Sequence, residues 1–192
     1  MEPKLNEALA GKRAVFFVDA AHFVLAAFLG MVWCFTRLFI KAPAGRQRFN
    51  VLGALNAVTK QMVTVCNDSY INATSVCALL DKLSMLSLGV PITIFLDNAS
   101  YQRCIAVREY AASLGIELIY LPAYSPNLNL IERMWKFVKK QCLYGKYYSK
   151  FAEFKAAIQD CIDSAPTQYR EKLQSLLTLK FQILGEAGAP TV

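Results

Sequence analysis

The sequence predicts an α/β fold in which a mixed sheet carries helices on its faces. Short apolar, β-branched runs that end in an acid, such as Val15–Asp19 and Pro91–Asp97, are typical of buried strands. Segments such as Asn72–Leu88 instead repeat apolar residues at helical spacing. Because strands come first along the chain and then alternate with helices, the predicted sheet is mixed.

The first half of the chain is predicted to be mostly extended. A frayed or helical leader occupies residues 1–12, and the first strand is Val15–Asp19. Pro and Gly mark a loop over Lys41–Gln47. The other predicted strands form a buried pair turning near Gly30 and a hairpin around Asn56–Lys60. They are Phe23–Leu29, Met31–Phe35, Arg48–Leu55 and Gln61–Asn67.

The second half is predicted to alternate strands with helices. The helix over Asn72–Leu88 ends at Gly89-Val90-Pro91, and its apolar stripe consists of Val76, Leu79, Leu80, Leu83 and Leu86. The strands are Ile92–Leu96 and Ile116–Leu121. The remaining helices are Arg103–Leu114, which Gly115 ends, then Ser125–Leu143, Phe151–Ser164 and Tyr169–Leu177.

At 192 residues the chain is long enough to bury a sizeable core as one domain. Its hydrophobic share of 55% and charged share of 18% argue against disorder. Since no linker or repeat divides the chain, we expect a leader over 1–13, one domain over 14–184 and a flexible tail over 185–192.

The six cysteines indicate free thiols in a reducing cytoplasm. A zinc site is not expected, because there is no C-x-x-C pair and His22 is the one histidine. The apolar stretch Phe23–Phe35 has only 13 residues, too few to cross a bilayer, and the polar start Met1–Lys12 is unlike a secretory signal. We therefore expect a cytoplasmic protein with no membrane partner.

The net charge of +7 favours an anionic partner. The basic residues cluster in two stretches without acids, Arg37–Lys60 and Arg133–Lys150, which hold 11 of the 21 Lys and Arg. A solvated basic face is the alternative for either stretch. Two such stretches beside a set of acids make nucleic acid the preferred partner.

Three acids form the candidate chemical site. Asp19 and Asp97 follow apolar strands, so both reach one edge of the sheet, where open sheets commonly bind ligands. Glu132 follows Asp97 after 34 intervening residues and lies near a predicted helix start. Carboxylates are the ligands that magnesium takes in two-metal phosphoryl transfer. Taken singly, each Asp also fits a turn or cap, and Glu132 fits a helix-dipole partner.

The helix that carries Glu132 is predicted to start with Ser125 as its cap and Pro126 at its first position. Its apolar stripe consists of Leu128, Ile131, Trp135, Val138 and Cys142. Glu132 lies roughly 80° from the centre of that stripe, and Arg133, Lys136, Lys139 and Lys140 share its flank. The predicted order, a metal ligand followed by cations, suits a DNA-binding face.

Three blocks of sequence resemble the catalytic domain of DDE transposases, in the bacterial insertion-sequence branch of the mariner-like superfamily (insertion-sequence-630 type). They are Phe16–Phe23, Phe95–Ala99 and Leu121–Trp135, and the 34-residue gap is typical of that superfamily. The resemblance covers roughly residues 14–145. It implies an RNase H-like (retroviral-integrase-like) fold, with a mixed five-stranded sheet and helices on both faces.

The same resemblance implies the chemistry and the partners. Asp19, Asp97 and Glu132 would be catalytic residues that bind two Mg²⁺ ions, with Mn²⁺ as a substitute. The expected reaction is cleavage at transposon ends followed by strand transfer from the freed 3′-hydroxyl. The implied partners are the DNA of the transposon ends and target, a second copy of the chain in a homodimer on DNA, and a separate helix-turn-helix subunit. The implied location is prokaryotic and nucleoid-associated.

Some positions depart from the family pattern. Ala123 and Leu130 stand where relatives often carry proline, and the usual His after the second Asp is absent, with Gln102 and Arg103 nearby. Relatives also carry helix-turn-helix domains, whereas this chain begins almost at the first catalytic strand. The alternative is therefore a truncated, inactive copy that only binds DNA or transposase subunits. A junction resolvase of the same fold is a third reading, which the block Leu121–Trp135 disfavours.

Several other residues are weaker candidates. Asn98 is a candidate for orienting Asp97 or a metal-bound water, and His22 is a candidate for approaching the site. Each fits a turn or a packed position equally well or better. Trp135 is expected in the core. The DNA-binding candidates are Arg46, Arg48, Tyr124, Arg133, Lys136, Lys139 and Lys140. Tyr144, Tyr147 and Tyr148 could line a DNA groove or pack at a helix end.

Overall fold

The computed structural model describes residues 1–25, 35, 47–122, 126–179 and 181. The strands within these ranges are β1 (Ala14–Val24), β2 (Arg48–Asn56), β3 (Met62–Asn67), β4 (Ile92–Leu96) and β5 (Ile116–Tyr120). The helices are α1 (Glu2–Leu9), α2 (Ala73–Ser84), α3 (Ile105–Ser113), α4 (Leu130–Cys142), α5 (Phe151–Gln168) and α6 (Arg170–Leu176). A short 3₁₀ turn at Pro126–Leu128 precedes α4.

The five described strands form one mixed sheet in the order β3-β2-β1-β4-β5. β1 pairs antiparallel with β2 and parallel with β4. β2 pairs antiparallel with β3, which confirms the predicted hairpin, and β4 pairs parallel with β5. β1 is therefore central, and the mixed architecture predicted from the element order is confirmed.

Each face of the sheet carries its own apolar core. Side chains of α1, α4, α5 and α6 cover one face, where they pack on Phe17, Phe23 and Phe95. Side chains of α2 and α3 cover the other face, where they pack on Phe16 and Ile94. Because successive strand residues point to opposite faces, odd-numbered positions of β1 face α4 and even-numbered positions face α2.

The strand β1 is longer than predicted. It runs on to Val24 instead of ending at Asp19, because β2 pairs with it along that whole length, up to Arg48 opposite Val24. Phe23 and Val24 thus belong to β1, and Leu25 directly follows it. The rest of the predicted strand pair, with Gly30, lies outside the described residues apart from Phe35.

The helix boundaries are close to the predicted ones. Asn72 caps α2, accepting a hydrogen bond from Ser75 N at 3.0 Å. The helix ends at Ser84, so Leu86 is 43% exposed and is not part of the buried stripe. α3 starts two residues later than predicted, and Gly115, at φ +67°, follows its C-cap residue Leu114. α5 extends four residues beyond the predicted end.

An ion-pair cluster ties α1 to the end of the sheet where β1 and β4 begin. Arg13 pairs with Glu7 at 2.5 Å and with Glu117 at 3.2 Å, and Lys4 pairs with Glu117 at 2.8 Å. These pairs hold the pKa of Glu117 below its usual value, with the Lys4 hydrogen bond as the main cause. The cluster supports this end of the sheet, opposite to the acids.

The described residues bear on two features considered from the sequence, the state of the cysteines and the presence of a membrane-spanning helix. Their cysteines, Cys66, Cys77, Cys104, Cys142 and Cys161, are all free. Of the described helices, none is long and apolar enough to cross a membrane.

Candidate active site

Asp19 and Asp97 lie side by side on adjacent parallel strands. The ladder between β1 and β4 pairs Phe17 with Phe95 and Val18 with Leu96, so one further step brings Asp19 next to Asp97. Both acids share a face with Phe17 and Phe95, whose rings stack at 5.3 Å. The two carboxylates therefore sit on the face that α4 covers, where the parallel ladder ends.

Glu132 reaches the same edge from α4. The helix begins at Leu130, with Asn129 as its N-cap residue, so Glu132 is in the first helical turn. The predicted start at Pro126 is wrong, because this residue opens the separate 3₁₀ turn, and Ser125 lies outside the described residues. The helix docks through a wide apolar arc, and its buried residues are Leu130, Ile131, Met134, Trp135, Phe137, Val138 and Cys142.

The three carboxylates are close enough to interact electrostatically. Burial is the main cause that raises the pKa of Asp19 to about 7, and the charges of Asp97 and Glu132 raise it further. The pKa of Glu132 is also raised, first by burial and then by Asp97, while Lys136 acts in the opposite direction. Like charges held together in this way are a common feature of functional sites.

A glycine lets a tryptophan lie beside Asp19. Gly53 is the β2 residue opposite Asp19, and a Cβ atom there would be 2.7 Å from Cη2 of Trp135 and 2.6 Å from Cε of Met62. Trp135 is 4% exposed, so its expected place in the core is borne out. Among described residues its Nε1 has no normal hydrogen-bond partner, yet its N–H is near enough to lower the pKa of Asp19 slightly.

Asn98 and His22, the two residues expected to support the acids, differ in position. Asn98 follows Asp97 and donates its side-chain amide to the carbonyl of Leu121 at 2.7 Å, which ties the end of β4 to the segment after β5. His22 lies three residues after Asp19 and therefore on the opposite face of β1. It is exposed, with Nδ1 2.6 Å from Oδ1 of Asn50. The structure does not bring His22 to the acids.

The predicted cationic flank of α4 divides into exposed and engaged residues. Lys136 and Lys140 are exposed. Lys139 is half-buried, with Nζ 5.9 Å from the ring centroid of Phe23. Arg133 donates to the carbonyl of Thr178 at 3.0 Å. The lysines at 136 and 140 are thus the α4 side chains best placed to meet a phosphate backbone.

The other DNA-binding candidates lie apart from α4 or outside the described residues. Arg48 is exposed at the start of β2, five positions along the β1 ladder from Gly53. Arg46 and Tyr124 fall outside the residues that the structure describes. Of the tyrosines after α4, Tyr144 and Tyr147 are exposed, whereas Tyr148 donates a hydrogen bond to the carbonyl of Cys142 and packs on Phe154.

Sequence reasoning missed two residues near the acids, Tyr101 and Asn129, and one near Arg133, Lys60. Tyr101 is half-buried, and its pKa is raised by burial first and then by the charges of Asp19 and Asp97. Lys60 lies near Arg133, and burial is the main cause that lowers its pKa to about 8. Asn129 is buried and donates toward Asp97. Sequence offered a signal only for Asn129, a polar residue three positions before Glu132.

The acids suit a divalent cation by their chemistry. Three carboxylates supply the hard oxygen ligands that magnesium prefers. Burial is the main cause that raises the pKa of Asp19 and Glu132, and a cation would offset the charge repulsion that adds to it. In the described ranges, no group of three or more His, Cys, Asp or Glu is gathered closely enough to hold a metal as it stands.

A family model described as "DDE superfamily endonuclease" matches residues 14–155, which is more than half of the chain. No curated protein matches the sequence significantly.

Solved structures of the Mos1 transposase share the fold. The crystal structure of the Mos1 strand transfer complex aligns with a TM-score of 0.60 and 14% identity over 94% of this chain and 59% of that chain. The crystal structure of the Mos1 mariner paired end complex with Mn aligns with a TM-score of 0.61 and 14% identity, over 86% of this chain and 53% of that chain. The structure of the Mos1 transposase catalytic domain with Raltegravir and Mg aligns with a TM-score of 0.57 and 13% identity, over 94% of this chain and 92% of that chain. The chain thus spans less than two thirds of the Mos1 chain in the two complexes. The shared fold, with its mixed five-stranded sheet, confirms the expected RNase H-like architecture.

Proposed function

Because the chain belongs to the DDE superfamily endonucleases, we propose that it is the catalytic domain of a transposase of the bacterial insertion-sequence branch. It would cut DNA at transposon ends and join the freed 3′-hydroxyl to target DNA. The observation that carries this proposal is that Asp19, Asp97 and Glu132 lie within range of one another's charges. The burial of Asp19, together with the charges of the other two, raises its pKa to about 7.

Asp19, Asp97 and Glu132 are the residues that would hold the metal. Two Mg²⁺ ions, or Mn²⁺ in their place, would activate the attacking hydroxyl and stabilise the departing oxygen. The chain itself supplies positioning, since β1 and β4 fix two carboxylates on one edge and the first turn of α4 carries the third. Burial of Asp19 keeps bulk water from part of this edge.

The exposed Lys136 and Lys140 would bind the DNA backbone next to Glu132. The remaining α4 cations, Arg133 and Lys139, would support the same strand from half-buried positions. Arg46, Arg48 and Tyr124 are proposed as further DNA contacts. The Mos1 matches include a strand transfer complex and paired end complexes, which supports DNA as the partner.

Assembly and location are also proposals. A homodimer on the DNA, helped by a separate helix-turn-helix subunit, would bring the carboxylates to the correct ends. The protein would then act in the cytoplasm, on the nucleoid of a prokaryote.

The test is nicking of supercoiled plasmid DNA by the full chain with Mg²⁺ or Mn²⁺. Asp97→Asn and Glu132→Gln should each reduce nicking by about 100-fold or more, because a metal site supplies several kcal/mol to such a reaction. Glu109→Gln is the matched control, since Glu109 is exposed on α3, on the other side of the sheet. Nicking by the two acid variants at the parent rate would disprove the assignment.

The alternative is a truncated copy that only binds DNA or transposase subunits. It would account for a departure from the family pattern, the missing His after the second Asp, where Gln102 and Arg103 lie nearby. Calorimetric titration with Mn²⁺ separates the two functions. Saturable binding that is lost in Asp97→Asn and Glu132→Gln supports the enzyme, whereas DNA binding without any acid-dependent Mn²⁺ binding supports the inactive copy.

A further inference from the structure

A buried asparagine links the ends of the two acid-bearing strands. Asn129 is 1% exposed. Its Nδ2 lies 3.3 Å from the carbonyl oxygen of Val18 and 3.4 Å from Oδ1 of Asp97. This orientation of the amide is the sensible one, because the reverse would set its oxygen against a carbonyl and a carboxylate. Both contacts are long, as hydrogen bonds in unliganded active sites often are.

The same residue begins the helix that carries the third acid. Asn129 is the N-cap residue of α4, and its backbone carbonyl accepts a hydrogen bond from Glu132 N at 3.2 Å. An asparagine at this position ordinarily accepts a bond from an N–H of its own helix. The side chain of Asn129 makes no such bond, because its amide is directed to the strand ends.

One residue thus contacts the frame of all three acids. It reaches Asp97 directly and the residue before Asp19 through the Val18 carbonyl, and its backbone fixes the start of the turn that holds Glu132. Among the described residues its Oδ1 has no hydrogen-bond partner. A buried oxygen left unpaired destabilises a fold by about 1–3 kcal/mol, and such groups call for an explanation in terms of function or bound water.

We propose that Asn129 is a positioning residue that holds Asp97, the end of β1 and the start of α4 together, so that the three carboxylates converge on divalent cations. This inference rests on the proposed function. It assigns no bond to the metal itself. Asn129 acts through the acids, and its unpaired Oδ1 offers an acceptor to a water molecule at the same edge.

The first test is Asn129→Ser in the full chain, with Mn²⁺ affinity measured by calorimetry. Serine is also a good N-cap residue, but its hydroxyl is too short to reach both acceptors. The Mn²⁺ affinity should fall about tenfold, the lower end of the range for residues that orient metal ligands. The Mg²⁺ concentration giving half-maximal nicking should rise by a similar factor, while the rate at saturating Mg²⁺ changes less.

Two control variants separate positioning from general destabilisation. Asn127→Ser changes an exposed asparagine of the same segment and should leave Mn²⁺ affinity at the parent value. Ile158→Val removes a methyl group from the buried face of α5. It should lower the melting temperature without changing Mn²⁺ affinity. If Ile158→Val weakens Mn²⁺ binding as much as Asn129→Ser does, Asn129 is merely structural and the inference is overturned.

A second measurement needs no variant and holds even if Asn129→Ser fails to fold. In ¹⁵N NMR of the parent, the side-chain amide signal of Asn129 should move on Mg²⁺ titration with the midpoint of metal binding. The corresponding signal of Asn72, the N-cap residue of α2, should stay in place. If the Asn129 signal does not move, or if Asn129→Ser binds Mn²⁺ with the parent affinity, this inference is overturned and the proposed function stands. Mn²⁺ binding that is absent in the parent, or unchanged in Asp97→Asn and Glu132→Gln, overturns the proposed function and this inference together.

Discussion

Two helices of this protein start with an asparagine, and the two asparagines bind different partners. At α2, Asn72 accepts from Ser75 N at 3.0 Å, and the Ser75 hydroxyl accepts from Asn72 N at 3.4 Å, which forms a reciprocal capping box. At α4, Asn129 makes no bond to its helix and donates toward Val18 and Asp97 instead. The same residue type at the same helical position therefore serves the helix in one case and the site in the other.

The difference shows that one helix start is fully hydrogen-bonded within its own helix, whereas the other directs its side chain to the candidate site. α2 packs on a face whose core is apolar, so its cap can satisfy the local backbone fully. α4 lies over a face that carries Asp19 and Asp97, and its start leaves a side-chain oxygen of Asn129 unpaired among the described residues. Buried polar groups with incomplete partners are expected where a ligand will complete them.

The contrast between the acid-bearing face under α4 and the apolar face under α2 predicts its largest stability effect at Asp19. Its pKa is raised from 3.8 to about 7, so the folded state binds the proton more tightly than the unfolded state. Stability therefore falls as pH rises from about 4 to 7 and stays low above that. Asp19→Asn should stabilise the metal-free protein at pH 8 by about 2 kcal/mol, because each pKa unit is worth about 1.4 kcal/mol and this carboxyl keeps some hydration.

Chemical unfolding at pH 4 and pH 8 measures this gain, which should vanish at pH 4. Asp160→Asn, at an exposed position of α5, should show no such gain. Saturating Mg²⁺ should reduce the difference by stabilising the parent. An Asp19→Asn variant no more stable than the parent at pH 8 would contradict the buried, charge-coupled environment described above.

A smaller effect is expected at the other helix start. Asn72→Ala removes the capping box and should destabilise the protein by about 1 kcal/mol. Its Mn²⁺ affinity should remain that of the parent, because α2 contacts the face opposite to the acids. Urea unfolding and Mn²⁺ calorimetry on one preparation measure both quantities. A loss of Mn²⁺ affinity in Asn72→Ala would remove the contrast between the two helix starts.

The smallest effect is expected on the exposed flank of α4. Lys136→Ala and Lys140→Ala should each leave stability nearly unchanged and lower the salt dependence of DNA binding by about one phosphate contact. Binding to a labelled duplex at several salt concentrations gives the slope. Lys12→Ala, exposed beyond the end of α1, should keep the parent slope. If the parent and all three variants show the same salt dependence, Lys136 and Lys140 of α4 do not contact DNA phosphates.

Much of the fold could be predicted because its signals are local. The hairpin of β2 and β3 and the strand β4 depend on runs of apolar residues and on contacts between near neighbours. The start of α4 was predicted too early, because the partners of Asn129 lie 111 and 32 residues away in sequence. The alternation of side chains along a strand was a usable signal for His22, and it separates that residue from Asp19.

The sequence by itself determined which side chains are available: three acids in blocks typical of a family, a basic flank on an amphipathic helix, and apolar strands to carry them. Only the tertiary structure decided how they meet. It set Gly53 opposite Asp19, where the missing side chain makes room for Trp135. It also buried Asn129 against the strand ends. The physical reason is that element type follows from short-range periodicity, whereas burial, charge coupling and polar pairing depend on contacts between distant segments.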